Sequence, residues 1–311
     1  MTEDIRMNGI INVYKERGYT SHDVVAKLRG ILHMKKIGHT GTLDPEAEGV
    51  LPVCLGKATG LCGMITDWGK TYEAVMLLGT VTDTQDITGK VVVTGEVHTD
   101  ELQIIDACNF FLGEYYQIPP MYSALKHKGH KLYELARQGI EIERAARKVY
   151  IRSIHINEIN LVDKEKTVTF TVECSKGTYI RTLCEDIGKK LGCGACMKKL
   201  VRTRVGRFGI DDSLTLNQIA ALVLKGEIEQ NIMFVDEMFS DLRKLIVREE
   251  YHKLIYNGNK FSEKALLQEE ETEYSEQEQF RIYDSNDVFV GIYAYGNGIF
   301  APVKMFYTAE V

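Results

Sequence analysis

Between Gly9 and Tyr14 the chain reads Gly-Ile-Ile-Asn-Val-Tyr, a short apolar stretch that predicts a strand. Thr20 and Asp23 follow at capping-box spacing, ahead of apolar positions three and four apart, and predict an amphipathic helix reaching about Leu32. Residues 38–60 are spaced by glycines and read as a loop followed by a helix. Lys70–Leu78 has strand composition, and a polar turn around Asp83–Gly89 leads to another strand at Val91–Val93. The pattern then predicts a helix over Thr99–Leu112, strands over about 149–161 and 167–174, a helix from about Thr178 to Leu191, and a strand over Val201–Phe208.

Two stretches break this rhythm. Residues 117–148 are polar and basic between apolar elements, with Pro119-Pro120, the run Lys126-His127-Lys128-Gly129-His130-Lys131 and one short helix, Leu132–Gln138. Such an excursion reads as a surface insertion able to close over a ligand. Near Ser240 the composition shifts to short β-rich pieces, Lys244–Val247, Phe280–Tyr283, Val288–Tyr293 and Ile299–Phe306. The division expected is a domain over 1–240 and a small, mostly β domain over 241–311.

Composition adds constraints rather than a function. With 311 residues, 44% of them hydrophobic and 26% charged, the chain suits a soluble protein of about two domains. The start, Met1–Arg6, is neither basic nor hydrophobic, and no run of 18 apolar residues occurs, so neither an ordinary signal peptide nor a membrane span is expected. Seven scattered cysteines read as reduced thiols of a cytoplasmic protein. Cys193 and Cys196 have redox or zinc-pair spacing, but no second pair completes a site, and no dinucleotide or phosphate-loop fingerprint is present. The net charge of −6 is concentrated in the tail, where 241–311 carry −5 and the run Glu269–Glu278 reads as a solvated loop. Basic residues cluster elsewhere: Lys126, Lys128 and Lys131, then Arg144, Arg147 and Lys148, then Lys189 to Arg207. Local positive potential of this kind suits phosphate contacts whatever the overall charge.

The candidate chemistry sits in four segments, each with a bland reading. In Gly38-His39-Thr40-Gly41-Thr42-Leu43-Asp44-Pro45, Asp44 has the position of a helix N-cap with Pro45 at the first helical residue. The same glycines would also let a bulky ligand approach the backbone. In Cys174-Ser175-Lys176-Gly177-Thr178-Tyr179-Ile180-Arg181, a strand, a tight turn and a helix follow one another, which puts Arg181 in the first helical turn, where the dipole disfavours a cation. It is either a solvated arginine or the partner of a carboxylate brought in from another segment. Tyr72 lies near a strand start, where core or edge tyrosines are common, and Lys199–Arg204 resembles any basic strand.

Together these segments carry a resemblance. GHTGTLDPEAEGVLPVCLGKAT, KTYEAVMLLG, IPPMYSALKHKGHKLYELARQGIE, CSKGTYIRTLCEDIGKKLGCGA and KLVRT occur in the order and at the spacings of the bacterial tRNA pseudouridine-55 synthases, the TruB family, over about residues 8–220. The tail resembles that family's C-terminal PUA domain. The resemblance implies an α+β pseudouridine synthase fold on a mixed, largely antiparallel sheet, a thumb-like insertion at 117–148 gripping the T loop, and a small C-terminal β-barrel. It implies Asp44 as catalytic aspartate, Arg181 as its partner and Tyr72 as the tyrosine packed on the target base. Tyr179 and Leu200 would line the pocket, and His39 would contact the extruded nucleotides. Lys15, Lys176, Arg202, Lys126, Lys128 and Lys131 would bind the RNA. The family usually has Lys-Pro after its first strand, whereas here Glu16 follows Lys15.

The implied substrate is the T stem-loop of tRNA, acted on by a monomer without an obligate protein partner. The implied chemistry breaks the bond from C1′ to N1, turns the uracil and joins C1′ to C5. Atoms and electrons are conserved, so no cofactor or metal is expected; the step needs a carboxylate and an unstacked base. The rival readings are an RNA-binding or RNA-folding protein with secondary catalysis, and a related synthase acting on another RNA, such as the guide-dependent type.

Overall fold

The computed structural model describes residues 7–267 and 273–307, and its first elements follow from local chemistry. Strand β1 (Gly9–Lys15) leads to α1 (Ser21–Ile31), whose Thr20 hydroxyl accepts from the Asp23 N–H while the Asp23 carboxylate accepts from the Thr20 N–H. Next come β2 (Ile37–His39), β3 (Glu48–Leu55), a turn of 3-10 helix and α2 (Cys62–Thr66). Strand β4 (Lys70–Leu78) buries alternate residues, as its pattern demands. A two-stranded ribbon, β5 (Thr80–Thr82) and β6 (Val91–Thr94), is followed by α3 (Glu101–Asn109) and β7 (Gly113–Gln117). The 117–148 excursion holds a small hairpin, β8 (Lys126–His127) with β9 (His130–Lys131), and the short helix α4 (Leu132–Arg137). Long strands β10 (Arg147–Asn160) and β11 (Thr167–Cys174) precede α5 (Ile180–Leu191) and β12 (Ala195–Val205). Then follow β13 (Phe208–Gly209), α6 (Leu216–Lys225) and β14 (Ile232–Phe234).

One ten-stranded sheet runs in the order β14-β1-β3-β12-β4-β11-β10-β7, with β2 on β3 and β13 on β12. Only the β3–β12 pairing is parallel, so the sheet is mixed and largely antiparallel. Its centre is covered on both sides. Ile11 and Val13 of β1 with Leu51, Val53 and Leu55 of β3 pack on α1 and α6, whereas Ile10, Val50 and Cys54 pack on the opposite core. That double burial explains why most of the helix expected within 38–60 is a strand, leaving only the 3-10 helix Gly56–Leu61 at its end. The run from Val50 to Leu55 is a strand with two apolar faces, so it lacks the alternation that marks half-buried strands. The strand expected at Val201–Phe208 begins earlier, at Ala195, because Ala195, Cys196 and Met197 are all buried.

The tail forms a second sheet from β15 (Arg243–Ile246), β16 (Phe261–Ser262), β17 (Gln279–Tyr283), β18 (Phe289–Gly296) and β19 (Ile299–Met305), in the order β15-β17-β18-β19-β16. A bridge between Val247 and Leu266 ties the chain just beyond its two edge strands, so the sheet curls toward closure. It has its own aromatic core around Phe261, Phe280, Tyr293 and Phe300. Ile292 and Phe306, however, join the core beneath β1 and β3, alongside Val235 and Met238. Of the acidic run, 269–272 lie outside the described residues; Glu278 pairs with Arg243 through both carboxylate oxygens at 2.9 and 3.0 Å.

Candidate active site

Asp44 lies not on a helix but in the loop between β2 and β3, where the Ala47 N–H donates to the Asp44 carbonyl at 3.1 Å and Pro45 occupies the turn. The N-cap reading is therefore corrected. The loop is held from several sides. The Leu43 N–H donates to the Ser21 hydroxyl at 2.9 Å, the Thr40 N–H and hydroxyl both donate to the Pro52 carbonyl, and the Gly18 N–H donates to the Pro45 carbonyl. Fixed in this way, Asp44 faces a cleft of about 600 Å³ whose lining includes Tyr72, Leu125, Lys176, Tyr179, Arg181 and Leu200.

Arg181 crosses from the first turn of α5 to meet it. Its Nε lies 3.1 Å from Asp44 Oδ2 and its Nη2 3.3 Å from Oδ1, a bidentate fork. The same guanidinium donates to the Tyr122 carbonyl at 2.8 Å and the Thr84 carbonyl at 3.2 Å, and lies 3.6 Å from Asp86. The Arg181 side chain is 6% exposed, whereas Asp44 keeps 40% of its side-chain surface facing the cleft. Of the two readings of Arg181, the solvated one is excluded. Burial raises the Asp44 carboxyl above its ordinary value; Arg181 opposes that rise and Asp86 adds to it.

Around this pair the cleft has an aromatic and apolar lining. Tyr72 on β4 is buried, lies across from Arg202 of β12 and Val172 of β11, and its phenol is pushed up by burial. Leu200 on β12 borders both this cleft and a smaller one of about 350 Å³ that also reaches Asp44. Tyr179 precedes α5 and is clamped by Gln117, whose amide oxygen accepts from the Tyr179 N–H at 2.8 Å while its NH₂ donates to the Tyr179 carbonyl at 2.9 Å. Lys176 borders the cleft and pairs with Asp67 at 2.8 Å. Lys126 and Lys128 are exposed on the excursion's hairpin, and Lys131 lies over the Tyr133 ring at 5.4 Å.

Three of the expected binding residues have distinct surroundings. His39 does not reach the Asp44 cleft; it stands edge-on to His22 at 5.4 Å and lines a separate cleft of about 610 Å³ with Arg29, Lys35 and Lys36. Lys15 is fully buried and donates to the Glu16 and Pro45 carbonyls, with its pKa lowered to about 8 by burial. Arg202 is 1% exposed and donates to the Val50 and Gly41 carbonyls. Both hold the loop that carries Asp44, and Arg202 also borders the larger cleft. Sequence reasoning missed Asp86, Thr84 and Gln117. The first two lie in the polar turn read only as a connector, and Gln117, at the edge of the basic excursion, carries no signal of its own.

The family model described as TruB family pseudouridylate synthase (N terminal domain) matches residues 29–180, and that of the tRNA pseudouridylate synthase B C-terminal domain matches 181–248. The tRNA pseudouridine synthase B of Lachnoclostridium phytofermentans is 50% identical over 306 residues, covering 96% of this chain and 100% of that one. That of Clostridium acetobutylicum is 45% identical over 286 residues, covering 92% and 95%. Among solved structures, a chain of a Cbf5-Nop10-Gar1 complex superposes with a TM-score of 0.69 at 27% identity, over 96% of this chain and 85% of that one. A chain of an H/ACA RNP bound to a substrate RNA gives 0.68 at 25%, over 98% and 86%.

Proposed function

Because the chain belongs to the TruB family of pseudouridylate synthases, we propose that it isomerises the T-loop uridine of tRNA to pseudouridine with Asp44 as the catalytic carboxylate. The observation that carries this reading is the bidentate Arg181–Asp44 pair at the wall of an open cleft. A carboxylate held this way is aimed and partly desolvated, with Arg181 favouring its charged form, which suits attack on the base or the sugar and assistance to proton removal. Tyr72 offers an aromatic face and Leu200 an apolar wall to a base out of its stack. As C1′ changes partner from N1 to C5, the proton leaving C5 is matched by one gained at N1.

The exposed hairpin lysines and Lys176 serve as phosphate contacts in this reading. The carboxylate, its arginine and the basic hairpin all lie on one chain, which supports action as a monomer without a protein partner. Residues 1–240 form the catalytic part, and the curled sheet of 241–311 is a PUA-like RNA-binding part. Among the described residues no helix is long and apolar enough to cross a membrane, and all seven cysteines are free; both fit work in the cytoplasm.

The likeness to chains of a Cbf5-Nop10-Gar1 complex and of an H/ACA RNP favours a related synthase acting on another RNA as the second reading, at 25–27% identity against 45–50% for the tRNA enzymes. Mapping pseudouridine in a tRNA pool treated with the pure chain separates the two, since the tRNA reading expects one T-loop site without any guide. Asp44→Asn should abolish turnover while RNA binding stays within about twofold. Retained turnover would remove Asp44 from the chemistry.

A further inference from the structure

Strand β3 changes neighbours along one edge. It pairs with β12 at Glu48 and Gly49 and with β2 at Val53–Leu55, so no strand pairs with 50–52 on that side. Arg202 enters this gap. Its Nε donates to the Val50 carbonyl at 2.7 Å and its Nη2 to the Gly41 carbonyl at 3.2 Å. Across the sheet, Arg202 stands directly opposite Tyr72, and both border the larger cleft. One residue thus holds β3 and the loop three residues before Asp44 and stands beside the aromatic residue of the cleft.

The character of those partners matters. Both hydrogen-bond acceptors are neutral carbonyl oxygens, and among the described residues no carboxylate forms an ion pair with Arg202 although it is 1% exposed. Burying a cation without a counter-charge is unfavourable, and an apolar residue of similar size would often be tolerated as well or better. Stability alone therefore does not account for an arginine here. Its forked donors do, because a planar guanidinium can satisfy several acceptors at fixed mutual angles. The close approach is also built into the neighbouring strand. A Cβ on Gly49, at φ +103°, would fall 2.2 Å from the Arg202 carbonyl oxygen.

We propose that Arg202 is a positioning residue that fixes the Tyr72 ring relative to the Asp44 loop, so that platform and carboxylate meet the target base in one geometry. It acts through Tyr72 and Gly41 rather than on the RNA. The inference rests on the reading of the cleft as the isomerisation site.

The test is a double-mutant cycle in the full chain. Arg202→Met, Tyr72→Phe and the double variant are compared by single-turnover pseudouridine formation on saturating T-arm RNA, with RNA Kd measured alongside. Arg202→Met should slow turnover about a hundredfold with Kd within about twofold, as a small misplacement does. In the Tyr72→Phe background the same change should cost no more than about threefold. Losses that multiply, a wild-type rate for Tyr72→Phe, or weakened binding with the rate retained would each overturn the proposal. Should Arg202→Met fold poorly, Arg202→Lys keeps the cation but not the fork. With the melting temperature retained it should lose about tenfold in rate, and a wild-type rate would overturn the proposal. A wild-type chain forming no pseudouridine removes the cleft reading and the inference together, whereas an active wild type with multiplying losses removes the inference alone.

Discussion

At Asp44 two opposing influences set the charge of one carboxyl. Burial and Asp86 raise its pKa, Arg181 lowers it, and the net lies above the ordinary 3.8. The carboxyl therefore binds its proton more tightly folded than unfolded. The stability this contributes is present below the unfolded pKa and fades as pH rises through the folded one. In the proposed reaction, with Asp44 acting in its ionised form, the acid limb of kcat/KM should fall at a pH above 3.8. Arg181→Met should move that limb further up and lower the rate at neutral pH by about a hundredfold or more. An unmoved limb would detach Arg181 from the Asp44 charge. This pair is partly legible in the sequence: an arginine in a first helical turn, where the dipole disfavours it, leaves a solvated residue or a carboxylate partner open, and only the resemblance names Asp44. Asp86 is not, because a carboxylate in a polar turn looks the same whether it faces water or a guanidinium.

Elements with local signatures are readable and those defined by their neighbours are not. The Thr20–Asp23 box and the alternation of Lys70–Leu78 place α1 and β4 as expected. Strand β3 escapes because two cores claim its alternate residues, whereas α6 goes unread although Thr215 and Gln218 form a capping box and Gly226 closes its end. Two glycines separate these influences. Gly30 lies in α1 with nothing within 4 Å of an added Cβ, so Gly30→Ala should stabilise the chain by about 0.5–1 kcal/mol. Gly49→Ala meets backbone at 2.2 Å and a positive φ, so it should destabilise by several times that amount and slow catalysis as well. Thermal melts of the two variants check both signs, and equal shifts would count against the close approach of β3 and β12.

For the molecule as a whole, two attachments differ in kind. The C-terminal sheet contributes Ile292 and Phe306 to a core shared with Val235 and Met238, and Lys304 donates to the Gly60 carbonyl at 2.7 Å. Deleting 241–311 should therefore expose apolar surface and lower the melting temperature, beyond any loss of RNA affinity. A truncated chain with an unchanged melt would show the two parts to be independent. The basic hairpin instead projects from the sheet. Neutralising Lys126, Lys128 and Lys131 should weaken RNA binding and reduce its salt slope by about 0.7–0.9 for each phosphate that no longer has a cation beside it. An unchanged slope would remove this excursion from the interface.

The excursion is hung in an unusual way. Gln117, the last residue of β7, pairs with Arg147, the first of β10, so everything between leaves and returns at a single rung of the ladder. A relative's 118–146 could thus be grafted in its place like a cassette, without disturbing strand order. One thread would still have to be re-tied, because the Tyr122 carbonyl within it holds Arg181. Swapping the excursion therefore also disturbs the anchoring of the arginine that pairs with Asp44.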